Sequence, residues 1–230
     1  MNPQWERTAR VVGEAGVARL AQASAAVFGI GGVGSYAAEA LIRAGVGRLC
    51  FIDADTVELS NLNRQLVAER GTLGRAKAEV MAERAARVNP ACEALAFVRR
   101  YAPGDEGFLA SLGVDFVIDA IDDVPAKVSL AAACARLAVP EAASMGTGNR
   151  LHPEMLAVAD IYETSADPLA RRMRRELRAA GVARLTAVYS KETPVKTGAG
   201  AVGSVSFVPP AAGMILAGIA VRTLLGEETR

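Results

Sequence analysis

A glycine-rich turn near the start of the chain constrains the fold more than any other feature. The apolar residues AAVF at 25–28 lead into GIGGVG at 29–34, which matches the pattern GxGxxG. Glycine permits a tight turn and a close approach to phosphate, and the N-terminus of a following helix stabilises negative charge. The pattern therefore predicts a strand, a nucleotide-binding turn and a helix at 34–43. By itself it leaves open NAD, ATP or a turn that merely packs helix on strand.

Predicted strands and helices alternate along the first 150 residues. A second buried strand, RLCFI at 48–52, completes a parallel βαβ unit. Further strands are predicted at 94–99, 114–118 and 139–144, and further helices at 8–22, 75–88 and 125–137. This alternation predicts an α/β, Rossmann-like, doubly wound and mostly parallel sheet whose nucleotide-binding core spans residues 24–150.

In residues 151–230 strands and helices no longer alternate regularly. These residues are predicted to be a C-terminal elaboration within the same single domain. The predicted elements are an edge strand at 155–161, a charged helix at 167–180, a mobile loop at 190–204, a strand at 203–208 and a closing helix at 211–225. The loop prediction rests on its content of Gly, Thr, Ser and Lys.

Polar residues after the second strand distinguish between NAD and ATP. Asp53 comes about 20 residues after the glycine pattern, where an acid can bind the ribose hydroxyls of either nucleotide. The cluster that follows comprises Asp55, Asn61, Arg64, Gln65 and Lys77. A dinucleotide has no evident use for an arginine and a lysine here, whereas a triphosphate does. Arg64 and Lys77 can neutralise phosphates while Asn61 and Gln65 orient oxygens, so ATP is the predicted ligand.

Asp122 follows a later predicted strand and is therefore expected at the same edge of the sheet as the glycine turn. A carboxylate there can hold Mg²⁺, which bridges phosphates and stabilises a departing pyrophosphate. Its neighbours Asp119 and Asp123 are candidates for the N-cap of the next helix instead. We therefore predict Asp122 as the metal residue.

Composition excludes several classes of protein. Charged residues make up 22% of the chain and the net charge is +1, so overall charge points to no partner. Cys50, Cys92 and Cys134 are far apart without a CxxC pair, which argues against a zinc site or a disulfide framework. The polar start and the short apolar stretch at 214–225 indicate neither a signal peptide nor a membrane span, so a cytoplasmic protein is expected.

Longer segments carry a resemblance to a known superfamily. GIGGVGSYAAEAL, IDADTVELSNLNRQ, GRAKAEVMAERAARVNP and DAIDDVPAK resemble the ThiF, MoeB and HesA superfamily, whose members are related to ubiquitin-activating enzymes. The segments TARVVGE, DPLARRMRREL, YSKETP and GSVSFVPPAAGMILAGIAV are similar to its branch of tRNA threonylcarbamoyladenosine dehydratases. The resemblance covers essentially the whole chain.

That resemblance implies an ATP-dependent adenylation of the threonine carboxylate of threonylcarbamoyladenosine at position 37 of tRNA. The acyl-adenylate is then attacked within the same modification, which closes a ring and releases AMP. The resemblance also implies a homodimer with contacts from residues 151–230. Residues implied to bind nucleotide are Gly29, Gly31, Gly32, Gly34, Ser35, Asp53, Asp55, Asn61 and Gln65; those implied to act on phosphates and metal are Arg64, Lys77 and Asp122, with Arg10 reaching the partner subunit's ATP site.

Departures from the superfamily bear on the alternatives. Sulfur-carrier relatives often carry paired CxxC motifs, and ubiquitin-type enzymes need a cysteine for thioester transfer. This chain has no CxxC pair and no cysteine after Cys134, which favours direct attack on the adenylate. The alternatives are adenylation of the C-terminal Gly-Gly of a ubiquitin-like sulfur carrier, a nucleotide-binding scaffold and a dehydrogenase. Whether the protein also binds a monovalent cation or a sulfur-transfer partner protein is left open by the sequence.

A group of arginines in the charged helix has two interpretations. Its members are Arg171, Arg172, Arg174, Arg175 and Arg178, with Arg184 beyond the helix. They could contact tRNA phosphates. In sequence they spread around the helix and Glu176 interrupts them, so a solvated charged helix explains them equally well.

Overall fold

The computed structural model describes residues 3–198 and 202–227 and contains a seven-stranded sheet covered by helices on both faces. In chain order, its longer elements are α1 (Glu6–Gln22), β1 (Ser24–Phe28), α2 (Gly34–Ala44), β2 (Arg48–Ile52), α3 (Lys77–Val88), β3 (Glu93–Phe97), α4 (Glu106–Leu112), β4 (Phe116–Asp119), α5 (Val124–Leu137), β5 (Glu141–Ser144), β6 (Leu156–Asp160), α6 (Pro168–Ala179), β7 (Thr186–Ser190) and α7 (Val208–Leu224). Short 3-10 turns lie at Pro3–Trp5, Leu59–Asn61, Arg70–Thr72, Pro153–Met155 and Ile161–Glu163.

The strands follow the order β3-β2-β1-β4-β5-β7-β6, and every pair is parallel except β6 with β7. The chain leaves β1 toward β2 on one side and returns to β4 on the other. That reversal is the switch point at which ligands bind in open α/β sheets. The predicted doubly wound, mostly parallel fold is therefore confirmed.

The core lies on both faces of the sheet, which explains the continuous apolar runs in its central strands. All five residues of β1 are buried. On one face, α2, α3 and α7 pack against the sheet, and on the other α4, α5 and α6 do so. Within the described residues, no helix combines the length and the apolar character that crossing a membrane requires.

The C-terminal third differs from the sequence prediction in two places. The strand predicted at 203–208 is wrong: α7 begins at Val208, because Pro209 and Pro210 suit a helical first turn that needs no N–H donors. The inner strand β7, which no pattern predicted, instead lies between β5 and the antiparallel edge strand β6. The predicted loop at 190–204 is irregular where it is described, and 199–201 lie outside the described residues.

Candidate active site

A cavity of about 1110 Å³ opens at the carboxyl edge of the sheet, next to the ends of β1, β2, β4 and β5. It brings together ten of the thirteen predicted site residues: Gly29, Gly31, Gly32, Asp53, Asp55, Asn61, Arg64, Gln65, Lys77 and Asp122. The other three, Gly34, Ser35 and Arg10, do not line it. The strand ends thus collect residues that are up to about 90 positions apart in sequence, as a parallel sheet requires.

The glycines of the turn fall into two kinds. Gly29 has a φ of +87°, and a Cβ there would lie 2.6 Å from the carbonyl oxygen of Ala120. A Cβ on Gly34 would lie 1.7 Å from the carbonyl oxygen of Gly29, so both glycines are required by backbone packing. A Cβ on Gly31 would approach no atom closer than Gln65 Nε2, at 3.8 Å. The protein itself leaves this space open, as expected where a phosphate approaches the backbone.

Ser35 shapes the turn from inside. Its side chain is fully buried, and its hydroxyl donates to the carbonyl oxygen of Gly31 at 2.6 Å while accepting from the N–H of Leu66 at 3.1 Å. Both hydrogen-bonding directions of the hydroxyl are therefore used. In this arrangement Ser35 joins the glycine turn to the segment around Leu66 and does not face the cavity.

Asp53 fixes the glycine turn against the end of β2. Its Oδ2 accepts from the N–H of Ile30 at 2.6 Å and its Oδ1 from the N–H of Asp55 at 2.8 Å. Burial raises the pKa of Asp53 above its ordinary value, although these two hydrogen bonds and the nearby Lys77 act in the opposite direction. The carboxylate still lines the cavity, where it can accept from a ribose hydroxyl.

The two amides support the wall of the cavity in different ways. Asn61 Oδ1 accepts from the N–H of Glu58 at 3.1 Å, which caps the turn Leu59–Asn61. Gln65 is also buried, and its Oε1 has no hydrogen-bonding partner among the described residues. Because buried polar groups are almost always paired, the amide of Gln65 has capacity left for a ligand or a water.

Two cations flank the glycine turn. Lys77, the first residue of α3, is buried with its Nζ 3.1 Å from Asp55 Oδ2. Arg64 packs its side-chain stem near Gly32 and donates to the carbonyl oxygen of Ser60 at 3.2 Å. A buried ammonium whose partner is a largely exposed carboxylate strongly favours an additional anion. The positive charge beside the turn therefore fits a polyphosphate.

The three aspartates at and just after the end of β4 have separate roles in the structure. Asp119 is buried and paired with Lys127, and Asp123 caps α5 by accepting from the N–H of Ala126 at 3.0 Å. Asp122 is exposed and faces the cavity. Among the residues described, no three His, Cys, Asp or Glu side chains form a metal cluster. A single carboxylate nevertheless fits Mg²⁺ that arrives with a nucleotide, because that ion keeps phosphate and water ligands.

One part of the cavity, lined by residues 145–150 and 167–169, was not predicted, and we call it the second lobe. Arg150 is 2% exposed and lines this lobe, with Nη2 3.9 Å from Asp167 Oδ2. Its Nε and Nη1 have no partner within the described part of the chain. Asp167 also caps α6 and accepts from the N–H of Gly146 at 3.0 Å. The sequence offered one signal for Arg150, which is its position: residues just after a predicted parallel strand belong to the ligand-binding edge of the sheet.

Arg10 lies away from this cavity. It is on α1, where its guanidinium pairs with Glu6 at 2.6 Å and its side chain is 74% exposed. Within one copy of the chain it is therefore a surface residue.

The three cysteines are buried and none lines the cavity. Burial raises the pKa of Cys92 to about 11 and also raises the pKa of Cys50 and Cys134. Because the thiolate is the nucleophilic form, these thiols are poorly suited to attack an activated acyl group. The geometry agrees with a reaction that does not pass through a cysteine.

Comparisons with known proteins agree with a nucleotide site of this kind. The ThiF family model matches residues 5–230. The chain is 35% identical to the tRNA threonylcarbamoyladenosine dehydratase of Bacillus subtilis, over 97% of this chain and 95% of that protein. It is 43% identical to the Escherichia coli dehydratase over 74% of this chain and 64% of that protein. The crystal structure of that E. coli enzyme in complex with ATP superposes with a TM-score of 0.91 at 36% identity, over 97% of this chain and 94% of that one.

Proposed function

This chain belongs to the ThiF family, and we propose that it uses ATP to adenylate the carboxylate of threonylcarbamoyladenosine in tRNA and then closes a ring with net loss of water. The substrate carboxylate attacks the α-phosphorus of ATP, and pyrophosphate leaves. A nucleophilic atom of the same modification then attacks the acyl carbon, and AMP leaves with the former carboxylate oxygen.

One observation carries this proposal: the open glycine turn, two cations and an exposed aspartate share a single cavity. The backbone at Gly31 and the N-terminus of α2 bind phosphate oxygens, and Asp53 binds the ribose. Lys77 and Arg64 neutralise charge that accumulates on the departing pyrophosphate. Asp122 would hold Mg²⁺, which supplies Lewis-acid stabilisation of the phosphates when bound.

The second lobe is where the modified base enters. Ligand sites typically occupy about 300–1,000 Å³, so a cavity of about 1110 Å³ has room for a nucleotide and a second reactant. Arg150 contributes positive charge to this lobe and attracts the carboxylate. The buried cysteines support a direct ring closure on the adenylate.

We also propose that the active form is a homodimer. Arg10 is highly exposed and does not line the cavity of its own chain, so its guanidinium is accessible to a second copy. In that assembly Arg10 would add positive charge to the phosphates bound in the partner's cavity.

The decisive experiment is an assay of the nucleosides. The protein is incubated with ATP, Mg²⁺ and tRNA that carries threonylcarbamoyladenosine, and the digested RNA is examined by mass spectrometry. We expect an ATP-dependent loss of one water from each modified base, with AMP and pyrophosphate formed in equal amounts. The proposal fails if the base keeps its mass while pyrophosphate exchange depends on a carrier protein that ends in Gly-Gly, which is the alternative raised by the superfamily.

A further inference from the structure

Three of the five arginines of helix α6 lie along one side of it, away from the side that packs on the core. Its buried positions are Ala170, Met173 and Leu177, which form the stripe packed on the core. Arg171, Arg175 and Arg178 are spaced i, i+4 and i+7, so they form a second stripe that faces solvent. We call these three residues the arginine stripe.

The arginine stripe concentrates charge that the rest of the chain does not have. Helix α6 contains five arginines and one glutamate in 12 residues, whereas the whole chain has 26 basic and 25 acidic residues. The excess positive charge is therefore local. A local basic stripe on a nearly neutral protein is the electrostatic signature of a phosphate backbone as partner.

Structural roles do not account for the stripe. Arg174, next to the arginine stripe, does have a structural role, because it donates to the carbonyl oxygen of Thr164 at 3.0 Å. Arg171 forms no ion pair with any described residue, and Arg175 pairs with the adjacent Glu176 on the surface. Arg178 lies with its guanidinium 4.9 Å from the centre of the Tyr162 ring, a contact that leaves its charge without an ion-pair partner among the described residues.

The arginine stripe begins two residues after the last residue of α6 that lines the cavity. Asp167, the N-cap of α6, lines the second lobe together with Pro168 and Leu169. At 1.5 Å per residue, Arg178 lies about 16 Å along the helix from Asp167, so the stripe can contact about two or three phosphates of one strand. A polynucleotide whose modified base enters the second lobe would therefore pass along α6.

We propose that the arginine stripe binds the sugar-phosphate backbone of the tRNA on one side of the base that enters the cavity. This inference rests on the proposed function, since that function identifies tRNA as the substrate. The contacts position the RNA and carry no sequence information, because they reach phosphates rather than base edges.

The test compares two double variants that remove the same charge. Arg171→Gln/Arg175→Gln removes two members of the stripe, and Arg70→Gln/Arg87→Gln removes two exposed arginines on the α2–α3 side of the sheet. For the stripe variant we expect the KM for tRNA to rise about tenfold and the slope of log KM against log salt to fall by about 1.5. The KM for ATP and kcat at saturating tRNA stay within about twofold, and the control variant behaves like the wild type.

The inference is overturned if the stripe variant keeps the wild-type KM for tRNA and its salt slope, or if the control variant changes by as much. Failure of the proposed function is a separate result, in which the wild-type protein removes no water from the base. In that case binding of tRNA measured by fluorescence anisotropy still tests the stripe, through the same comparison of affinity and salt slope between the two variants.

Discussion

Lys127 Nζ lies 2.8 Å from Asp119 Oδ2, and both side chains are completely buried beneath the turn that carries Asp122. Asp119 Oδ1 also accepts from the N–H of Ile121 at 3.0 Å. The ion pair thus links α5 to the end of β4 and holds the turn that leads to the exposed carboxylate. A buried pair of this kind gives little net stability, yet removal of one partner leaves the other charge without compensation.

Lys127→Met should therefore lower the free energy of unfolding by about 3–5 kcal/mol, measured by urea denaturation at pH 7. The double variant Asp119→Asn/Lys127→Met removes both charges and should recover part of that loss. If the free energy of unfolding of Lys127→Met lies within about 1 kcal/mol of the wild-type value, the buried charge of Asp119 is compensated in another way.

Alanine substitutions at Gly29 and Gly31 distinguish a glycine that packing requires from one that ligand binding requires. Gly29→Ala places a Cβ 2.6 Å from the carbonyl oxygen of Ala120 at a φ of +87°, and should destabilise the fold by about 2 kcal/mol or more. Gly31→Ala meets no close atom and should leave the unfolding free energy within about 0.5 kcal/mol. It should nevertheless weaken ATP binding at least about tenfold, measured by calorimetry, because the methyl group occupies phosphate space. Equal ATP affinity for Gly31→Ala and wild type would place the phosphates elsewhere.

Glu39 should make stability depend on pH in the acid range. Burial alone would raise its pKa, but hydrogen bonds from Arg84 and Arg43 outweigh burial and lower the pKa below 4.5. A carboxyl with a lowered pKa in the folded state stabilises the fold above its ordinary pKa, and that contribution disappears as pH falls through the lowered value. Glu39→Gln should thus cost about 1–3 kcal/mol at pH 7, and the difference from wild type should narrow below about pH 4.5.

Urea denaturation at several pH values measures this effect, with Glu79→Gln as the control. Glu79 is an exposed carboxyl on α3, so its loss should leave the pH profile close to that of the wild type. A constant difference between Glu39→Gln and wild type from pH 7 to pH 3 would contradict the role assigned to the two arginines.

The sequence predicted the part of the site that follows uninterrupted strand patterns. Asp53 comes directly after one apolar run and Asp122 four residues after another, and the carboxyl ends of parallel strands must meet at one edge. These two residues line one cavity together with Arg64 and Lys77. The contacts of Ser35 and Gln65 depend on tertiary packing. No pattern could show that Ser35 turns its hydroxyl inward, or that the amide oxygen of Gln65 has no partner among the described residues.

The C-terminal third was less predictable because its local patterns compete. SVSFV at 204–208 alternates like a strand, yet the two prolines after it allow a helix to begin and the strand does not form. The five residues of β7 are too few to distinguish a buried strand from a loop. Arg150 follows a short strand without a motif around it, and its burial is visible only in the folded chain.

Asp122→Asn should separate catalysis from folding. The side chain is exposed and Asp123, not Asp122, caps α5, so the variant should unfold like the wild type. Loss of the carboxylate should lower kcat by about 10²–10³ at saturating ATP and Mg²⁺, because charge on the departing pyrophosphate is then less stabilised. Steady-state release of pyrophosphate measures the effect. Activity within about twofold of the wild type would remove Asp122 from the proposed site.

Arg10 provides a test of the homodimer with the same aspartate variant. If Arg10 acts in the partner's cavity, Arg10→Ala and Asp122→Asn damage the same cavity when they are on different subunits. In a mixed dimer, the cavity of the Arg10→Ala chain keeps Asp122 and receives an intact Arg10 from its partner. The other cavity carries both defects.

Equal mixing of the two inactive variants should therefore restore about a quarter of the wild-type activity once subunits have exchanged, because half of the dimers are mixed and each has one intact cavity. Exchange is verified by native mass spectrometry with an affinity tag on one variant. If Arg10 acts within its own chain, mixing restores nothing. If its pairing with Glu6 is its whole role, Arg10→Ala alone keeps activity close to that of the wild type. A single variant carrying both substitutions is the control, since no mixture of it with itself can form an intact cavity.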